Sequence, residues 1–178
     1  MDLGLAKELY FREFEGKIQQ DSRIGIYVGI LTAIAGGLAF LIRSAWLAES
    51  ILCWFSVGFS VIAAVLWFWV IGFVLSGTIG YIYLKIPSPE NLLDYWQKLI
   101  GYYQENPGVA GSAREDFEEF LIQRFVSAAT ENERNNIKRS GRFYFANQIL
   151  PWVIIVSAVA GLFLAINQFL PFLLQKGR

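Results

Sequence analysis

Histidine is absent from this 178-residue chain, and cysteine occurs once, as Cys53 inside an apolar run. The first absence removes the commonest general base, the commonest metal ligand and the usual pH-sensitive side chain. The second excludes an internal disulfide and a cysteine-based metal site. The apolar segments also lack paired acids and an activated nucleophile. We therefore predict a protein that is not an enzyme, with no catalytic residues, no metal ligands and no cofactor.

Net charge is lacking as well, because 15 basic residues balance 15 acidic residues. Nucleic-acid-binding domains normally carry a basic excess, so no nucleic acid is expected among the partners. Apolar residues are abundant, in contrast. They make up 55% of the chain, above the roughly 45–50% that is typical of soluble domains.

Charged side chains are missing from three long stretches, residues 24–42, 51–84 and 149–175. Each stretch is long enough to cross about 30 Å of hydrocarbon as a helix. The second would extend about 50 Å at 1.5 Å per residue. We expect it either to break at one of its glycines or to continue beyond the membrane among other helices. The predicted fold class is an all-α integral membrane protein with three transmembrane helices.

The segment before the first stretch is predicted to be an amphipathic helix that runs into it. Tyr10, Phe14 and Ile18 recur every four residues, which places them near one face of a helix. The chain is therefore expected to form a single membrane domain, 1–178. Its predicted parts are an amphipathic cytoplasmic helix (1–23), span one (24–43), span two with a cytoplasmic extension (51–84), a small cytoplasmic helical region (85–148) and span three (149–175).

The region between spans two and three is the one sizeable polar part of the sequence. Ser88 is a typical N-cap and Pro89 suits the first helical position, so a short helix is expected to begin there. The Asn-Pro-Gly sequence at 106–108 then breaks the chain. From Ala113 the apolar pattern is helical without a strong breaker, which predicts one long helix that enters the membrane as span three.

The distribution of basic residues predicts the orientation. Twelve lie before span one or between spans two and three, whereas Arg43, Lys176 and Arg178 lie on the other side. Because basic residues accumulate in cytoplasmic loops, we expect a cytoplasmic N-terminus and large loop, and a C-terminus outside. The predicted location is the bacterial inner membrane.

Small residues recur at four-residue spacing in all three spans. Small residues let helix backbones approach closely, and such approach drives much of helix association in lipid. Two interpretations stay open: the stripes join copies into a homo-oligomer, or they pack the helices of one chain together. The candidates are Gly25, Gly29, Ala33 and Gly37 in span one, Gly72, Ser76 and Gly80 in span two, and Ser157, Gly161 and Ala165 in span three.

A polar and basic group precedes span three. Its candidate residues for contact with an anionic ligand are Asn132, Arg134, Asn136, Lys138, Arg139 and Arg142. Three interpretations are open: contact with anionic membrane lipid, binding of a phosphate-bearing ligand, or a polar lining that admits ions. A second surface, formed by Tyr95 and Trp96 with the acidic Glu118 and Glu119, is a candidate for docking a cytoplasmic protein partner.

Three segments carry a resemblance to known proteins: ELYFREFEGKIQQDSRIGIYVGILTAIAGGLAFLI, IPSPENLLDYWQKLIGYY and ATENERNNIKRSGRFYFAN. With these segments the chain resembles small bacterial inner-membrane proteins of two to four spans, several of which resemble effectors of antiphage defence. The resemblance implies an effector that oligomerises and compromises the inner membrane when triggered.

Two functions are therefore expected from the sequence. The first is a homo-oligomeric effector or channel that gates or disrupts the inner membrane in antiviral defence. The second is a non-conducting anchor or scaffold that recruits a soluble partner through its cytoplasmic helices.

Overall fold

The computed structural model describes residues 1–46 and 50–176, with side chains described up to Leu170. Within these residues the fold is all-helical and has no strand. The helices are α1 (Leu3–Trp46), α2 (Ile51–Ser76), α3 (Pro89–Glu105) and α4 (Ala113–Lys176).

Three of these helices, α1, α2 and α4, are long and apolar enough to cross a membrane. This confirms the predicted all-α class and the three candidate membrane helices. The amphipathic segment and span one form the continuous helix α1, and α4 likewise runs from the polar region into span three. Two of the basic residues counted for the orientation are affected by these limits. Arg178 lies outside the described residues, and so does the side chain of Lys176.

Helix α2 is shorter than the uncharged stretch that contains it, because it ends at Ser76 rather than Leu84. The Gly77 amide donates to the Phe73 carbonyl at 2.9 Å, and the following two amides both turn back to the Leu75 carbonyl. Gly80 then adopts a φ of +90°, a conformation that side chains with a Cβ rarely adopt. The structure thus has a break at the glycines, and the predicted continuation of the span-two helix to Leu84 is not formed. Residues 81–88 follow without regular structure.

The chain divides into two compact units. Unit 1 contains residues 1–20 and 81–138, and unit 2 contains residues 21–80 and 139–178.

The core of unit 1 forms between the start of α1 and the first part of α4. Ala6 and Tyr10 are buried against Phe125 and its neighbours, and the Tyr10 and Phe125 rings meet edge to face at 5.7 Å. Ile18 remains 54% exposed, so it leaves the predicted apolar stripe. Each four-residue step turns about 40° around a helix, so Ile18 lies about 80° away from Tyr10.

Helix α3 packs on α4 through aromatic side chains within unit 1. The Tyr95 and Phe120 ring centroids are 4.3 Å apart, and those of Trp96 and Phe117 are 5.2 Å apart. The helix begins as expected, because the Ser88 hydroxyl accepts a hydrogen bond from the Asn91 amide.

Unit 2 packs three apolar helix segments around a second core. Tyr27 and Leu31 of α1, Val70 of α2, and Phe143 and Val153 of α4 are among its buried residues. Several hydrogen bonds from side chains to main-chain carbonyls join the helices, and two of them are short. The Ser56 hydroxyl donates to the Ala160 carbonyl at 2.9 Å, and the Trp67 indole donates to the Leu31 carbonyl at 3.0 Å.

Candidate functional site

The residues that follow α2 are held by asparagines of α4. We refer to residues 81–88 as the connector. The Asn132 amide donates to the Leu84 carbonyl at 3.1 Å and accepts from the Leu84 amide at 2.9 Å. The Asn135 amide donates to the Ile82 carbonyl at 2.8 Å. Side-chain amides thus supply hydrogen bonds to backbone groups of the connector that lie outside any regular structure.

Asn136 links the connector to α1 within unit 1. Its carbonyl oxygen accepts from the Tyr83 hydroxyl at 2.7 Å, and its amide nitrogen donates to the Glu13 main-chain carbonyl at 2.8 Å. A Cβ at Gly16 would lie 3.1 Å from that nitrogen. The glycine therefore allows the close approach of Asn136 to α1.

These contacts bear on the predicted contact of Asn132 and Asn136 with an anionic ligand. Asn132 is fully buried and Asn136 is 8% exposed. Their amide groups are bonded to the chain itself, and the burial leaves little surface that a ligand could reach. The geometry therefore favours a structural role for both residues.

Arg139 has a comparable position in unit 2. It is 2% exposed, and its Nε donates to the Gly77 carbonyl at 2.9 Å while Nη2 donates to the Asp21 carboxylate at 2.6 Å. One side chain of α4 thus joins α1 to the end of α2, where the helix dipole favours a cation. This placement also favours a structural role over contact with a ligand.

The remaining basic candidates are exposed. Arg134 lies 3.7 Å from Glu131, a surface pair that contributes little to stability. Lys138 and Arg142 are exposed in their respective units. Their contact with anionic lipid or another anion stays a prediction.

The small residues of span one lie on the open surface of α1, along a stripe that turns about 120° around the helix from Gly25 to Gly37. A Cβ at Gly25, Gly29 or Gly37 would meet nothing within 4 Å, and Ala33 is exposed. We refer to these four residues as the glycine stripe. No helix of the described chain packs against the glycine stripe. Packing within one copy therefore does not require small side chains at these positions.

The small residues where α2 meets α4 behave differently. Ser56 and Ser60 of α2 and Ala160 of α4 are fully buried, and a Cβ at Gly161 would lie 3.7 Å from the Leu41 side chain. These residues bring the helices of unit 2 together. Packing within one chain therefore accounts for this group, to which the predicted Gly161 belongs.

The other predicted small residues have mixed surroundings. Gly72, Ser76 and Gly80 are exposed, and a Cβ at either glycine would meet nothing within 4 Å. Ser157 donates to the Val153 carbonyl of its own helix at 2.7 Å, and Ala165 is half-buried. We assign them no contact with another helix.

The predicted docking residues fall into two groups. Tyr95 and Trp96 are half-buried between α3 and α4, so they mainly hold α3 in place. Glu118 and Glu119 are exposed; Glu118 lies 3.7 Å from Arg114, and Glu119 accepts from Gln123. Trp96 and Glu118 also line a groove of about 640 Å³ in unit 1.

The loop between α3 and α4 is closed by polar contacts. The Tyr103 hydroxyl donates to the Asp116 carboxylate at 2.9 Å, and this hydrogen bond raises the pKa of Tyr103 because only the neutral phenol can donate it. The Ser112 hydroxyl accepts from the Glu115 amide at 3.2 Å, so Ser112 caps α4.

Searches with this chain matched no protein-family model, no curated protein and no solved structure. In the part of the chain that the structure describes, no group of three or more His, Cys, Asp or Glu side chains is placed to hold a metal ion.

Proposed function

We propose that this chain is a homo-oligomeric effector or channel of the bacterial inner membrane that gates or disrupts the membrane in antiviral defence. The glycine stripe of α1 is the observation that supports self-association. Three of its four members are glycines with nothing near the position of a Cβ, and each lowers the intrinsic stability of α1 by up to about 1 kcal/mol relative to alanine. A second copy of α1 is the partner that this surface suits.

The physical reason lies in the solvent. Lipid chains are as apolar as leucine, so helices in a bilayer associate through close van der Waals packing over small residues. Three membrane helices enclose little space, because small residues at Ser56, Ser60 and Ala160 are already packed inside unit 2. A channel therefore requires several copies, and the glycine stripe offers a surface through which they can meet.

The remaining parts of the proposal have separate support. The orientation, with a cytoplasmic N-terminus and large loop, rests on the distribution of basic residues. The role in antiviral defence rests on the resemblance of the three segments quoted above. We also propose that the chain has no enzymatic activity, because its sequence lacks histidine and clustered catalytic groups.

Gly29→Leu tests the proposal, with Gly58→Leu as the matched control. Both glycines lie on membrane helices with nothing within 4 Å of a Cβ, so both variants should fold as single chains. We expect Gly29→Leu alone to reduce the number of copies measured by native mass spectrometry. A voltage-sensitive dye should report depolarisation of bacteria that express the wild type or Gly58→Leu, and not of those that express Gly29→Leu.

Equal copy numbers in wild type and Gly29→Leu would contradict the role of the glycine stripe. If wild-type oligomers form but the membrane potential stays unchanged, the channel function is contradicted. Only the proposal of self-association would then stand.

A non-conducting anchor that recruits a soluble partner is the second candidate function. The groove in unit 1, lined by Trp96 and Glu118, is the observation that favours it. Replacing Glu118 and Glu119 together by lysine should abolish recruitment and leave the membrane potential as in wild type. Gly29→Leu should do the reverse.

A further inference from the structure

An apolar groove opens on unit 1 between α3, the start of α4 and Leu3 of α1. It has a volume of about 640 Å³ and is lined by apolar side chains, among them Leu92, Leu93 and Phe117, together with Arg114 and Glu118. Pockets that enclose ligands usually measure roughly 300–1,000 Å³. Leu93 is 57% exposed, so the described chain leaves apolar surface in this groove open to solvent.

The charge of the surrounding helices selects among possible occupants. Between Pro89 and Leu121 the chain has seven acidic residues and two basic ones. Both basic residues have acidic partners: Lys98 lies 2.9 Å from Asp94, and Arg114 lies 3.7 Å from Glu118. The surface is therefore anionic, which opposes an anionic lipid surface and attracts a cationic partner.

A second copy of this chain is a poor occupant. Unit 1 as a whole contains 13 acidic and nine basic residues. The same unit of another copy would therefore bring net negative charge to a groove that is already anionic.

We propose that this groove binds a cationic amphipathic helix of a soluble partner protein. Leucine, isoleucine or phenylalanine at i, i+4 and i+7 of the partner would occupy the apolar floor between Leu93 and Phe117, as in other helix-in-groove complexes. Lysine or arginine beside them would face Glu118 and the acidic residues of α3. The inference deepens the second candidate function and is independent of self-association through the glycine stripe.

The probe is a fluorescein-labelled synthetic 18-residue helix with leucine at i, i+4 and i+7 and lysine on the remaining faces. A second peptide carries glutamate in place of each lysine. Binding is measured by fluorescence anisotropy to the full chain in nanodiscs of zwitterionic lipid, with empty nanodiscs as the control. We expect the lysine peptide to bind at least tenfold more tightly than the glutamate peptide, and to bind empty nanodiscs at least tenfold more weakly.

Two variants locate the binding. Leu93→Gln should weaken binding of the lysine peptide by about tenfold, because it removes an exposed apolar contact from the groove. Ile82→Gln makes the same kind of change at a residue of unit 1 that is 78% exposed and does not line the groove, and it should leave affinity unchanged. Glu118→Lys should reduce the difference in affinity between the lysine and glutamate peptides, whereas Glu133→Lys should leave that difference unchanged.

Several outcomes would overturn the proposal. The first is equal affinity of the lysine and glutamate peptides for the chain. The second is binding of the lysine peptide to empty nanodiscs as tightly as to loaded ones. The third is an equal loss of affinity for the lysine peptide in Leu93→Gln and Ile82→Gln. Far-UV circular dichroism verifies that each variant keeps its helices. Repeating the titration with Gly29→Leu separates the two proposals, because that variant should bind the peptide fully even though it fails to assemble.

Discussion

The two units of this protein use different chemistry to hold their parts together. In unit 1, asparagine side-chain amides bond to the connector backbone, and aromatic rings join α3 to α4. In unit 2, small side chains at Ser56 and Ala160 bring the helix axes close, and hydroxyl groups bond directly to carbonyls. The contrast shows how one helix, α4, is adapted to two surroundings.

The largest expected effect comes from the buried cation of unit 2. Asp21→Ala leaves the Arg139 side chain, only 3% exposed, without the carboxylate 2.6 Å away. We expect the free energy of unfolding to fall by about 3 kcal/mol, because removing the carboxylate from a buried ion pair is strongly destabilising. Thermal unfolding in detergent, followed by near-ultraviolet circular dichroism, provides the measurement.

Arg139→Met is the matched variant for this prediction. It removes the cation and leaves a carboxylate that is 43% exposed and can be hydrated. We expect a smaller loss, about 1–2 kcal/mol. A larger loss in Arg139→Met than in Asp21→Ala would contradict this account of the ion pair.

A smaller effect should follow from loosening the connector in unit 1. Asn132→Ala removes both hydrogen bonds to Leu84, which should destabilise the closed connector by about 2 kcal/mol. Trypsin should then cleave after the exposed Lys85 roughly 30-fold faster, because proteolysis follows the population of the open form. Glu133→Ala, a change at the exposed neighbouring residue, should leave the rate of cleavage unchanged. Equal rates in both variants would exclude the role of Asn132 in holding the connector.

Gly72 within α2 and Gly77, which directly follows it, should respond to replacement by alanine with opposite signs. At Gly77 a Cβ would lie 3.3 Å from the Phe143 ring, so Gly77→Ala should lower the unfolding free energy by about 1 kcal/mol. At Gly72 nothing lies within 4 Å, so Gly72→Ala should raise it by up to about 1 kcal/mol through helix propensity. The same thermal unfolding measurement applies, and shifts of the same sign would contradict the packing described at Gly77.

The smallest effect concerns pH and the loop of unit 1. The hydrogen bond to Asp116 raises the pKa of Tyr103 above its ordinary value near 10. The stabilisation is therefore fully present below that value and is lost as the pH rises through the raised pKa. Asp116→Asn should lower the pKa of Tyr103, as followed by NMR titration of labelled tyrosine rings. Glu119→Gln is the control, and an unchanged pKa in Asp116→Asn would contradict the assigned bond.

The membrane helices and the boundaries of α3 could be predicted because local signals determine them. Uncharged length, the Ser88 cap and the Asn-Pro-Gly break at 106–108 act within a few residues of where they stand. The end of α2 does not follow from local hydrophobicity, because the apolar sequence continues to Leu84 although the helix ends at Ser76. The end of the helix is instead visible in the amide hydrogen bonds back to Phe73 and Leu75, at a point where Arg142 and Phe143 pack closely around Gly77.

The buried polar residues were harder to interpret from sequence. Asn132, Asn135, Asn136 and Arg139 follow the i, i+3, i+4, i+7 spacing of one helix face, in register with the buried Phe125 and Ala128 before them. That spacing could have identified Asn135 and could have separated Arg139 from its exposed neighbours. The backbone groups of residues 82 and 84 that bond to the asparagines carry no sequence signal, because every residue has them.

Unit 1 is built from segments that lie far apart in the sequence, and this separation has a consequence for biosynthesis. The Glu13 carbonyl and the Asn136 amide that bonds to it are 123 residues apart in the chain. At roughly 5–20 residues per second of synthesis, the first helix waits about 6–25 s after it is made before its partner emerges. During that time Tyr10 and Ala6 have no partner from α4 to cover them. The ribosome-bound chain therefore presents an uncovered apolar face that a chaperone or the membrane surface can occupy until α4 arrives.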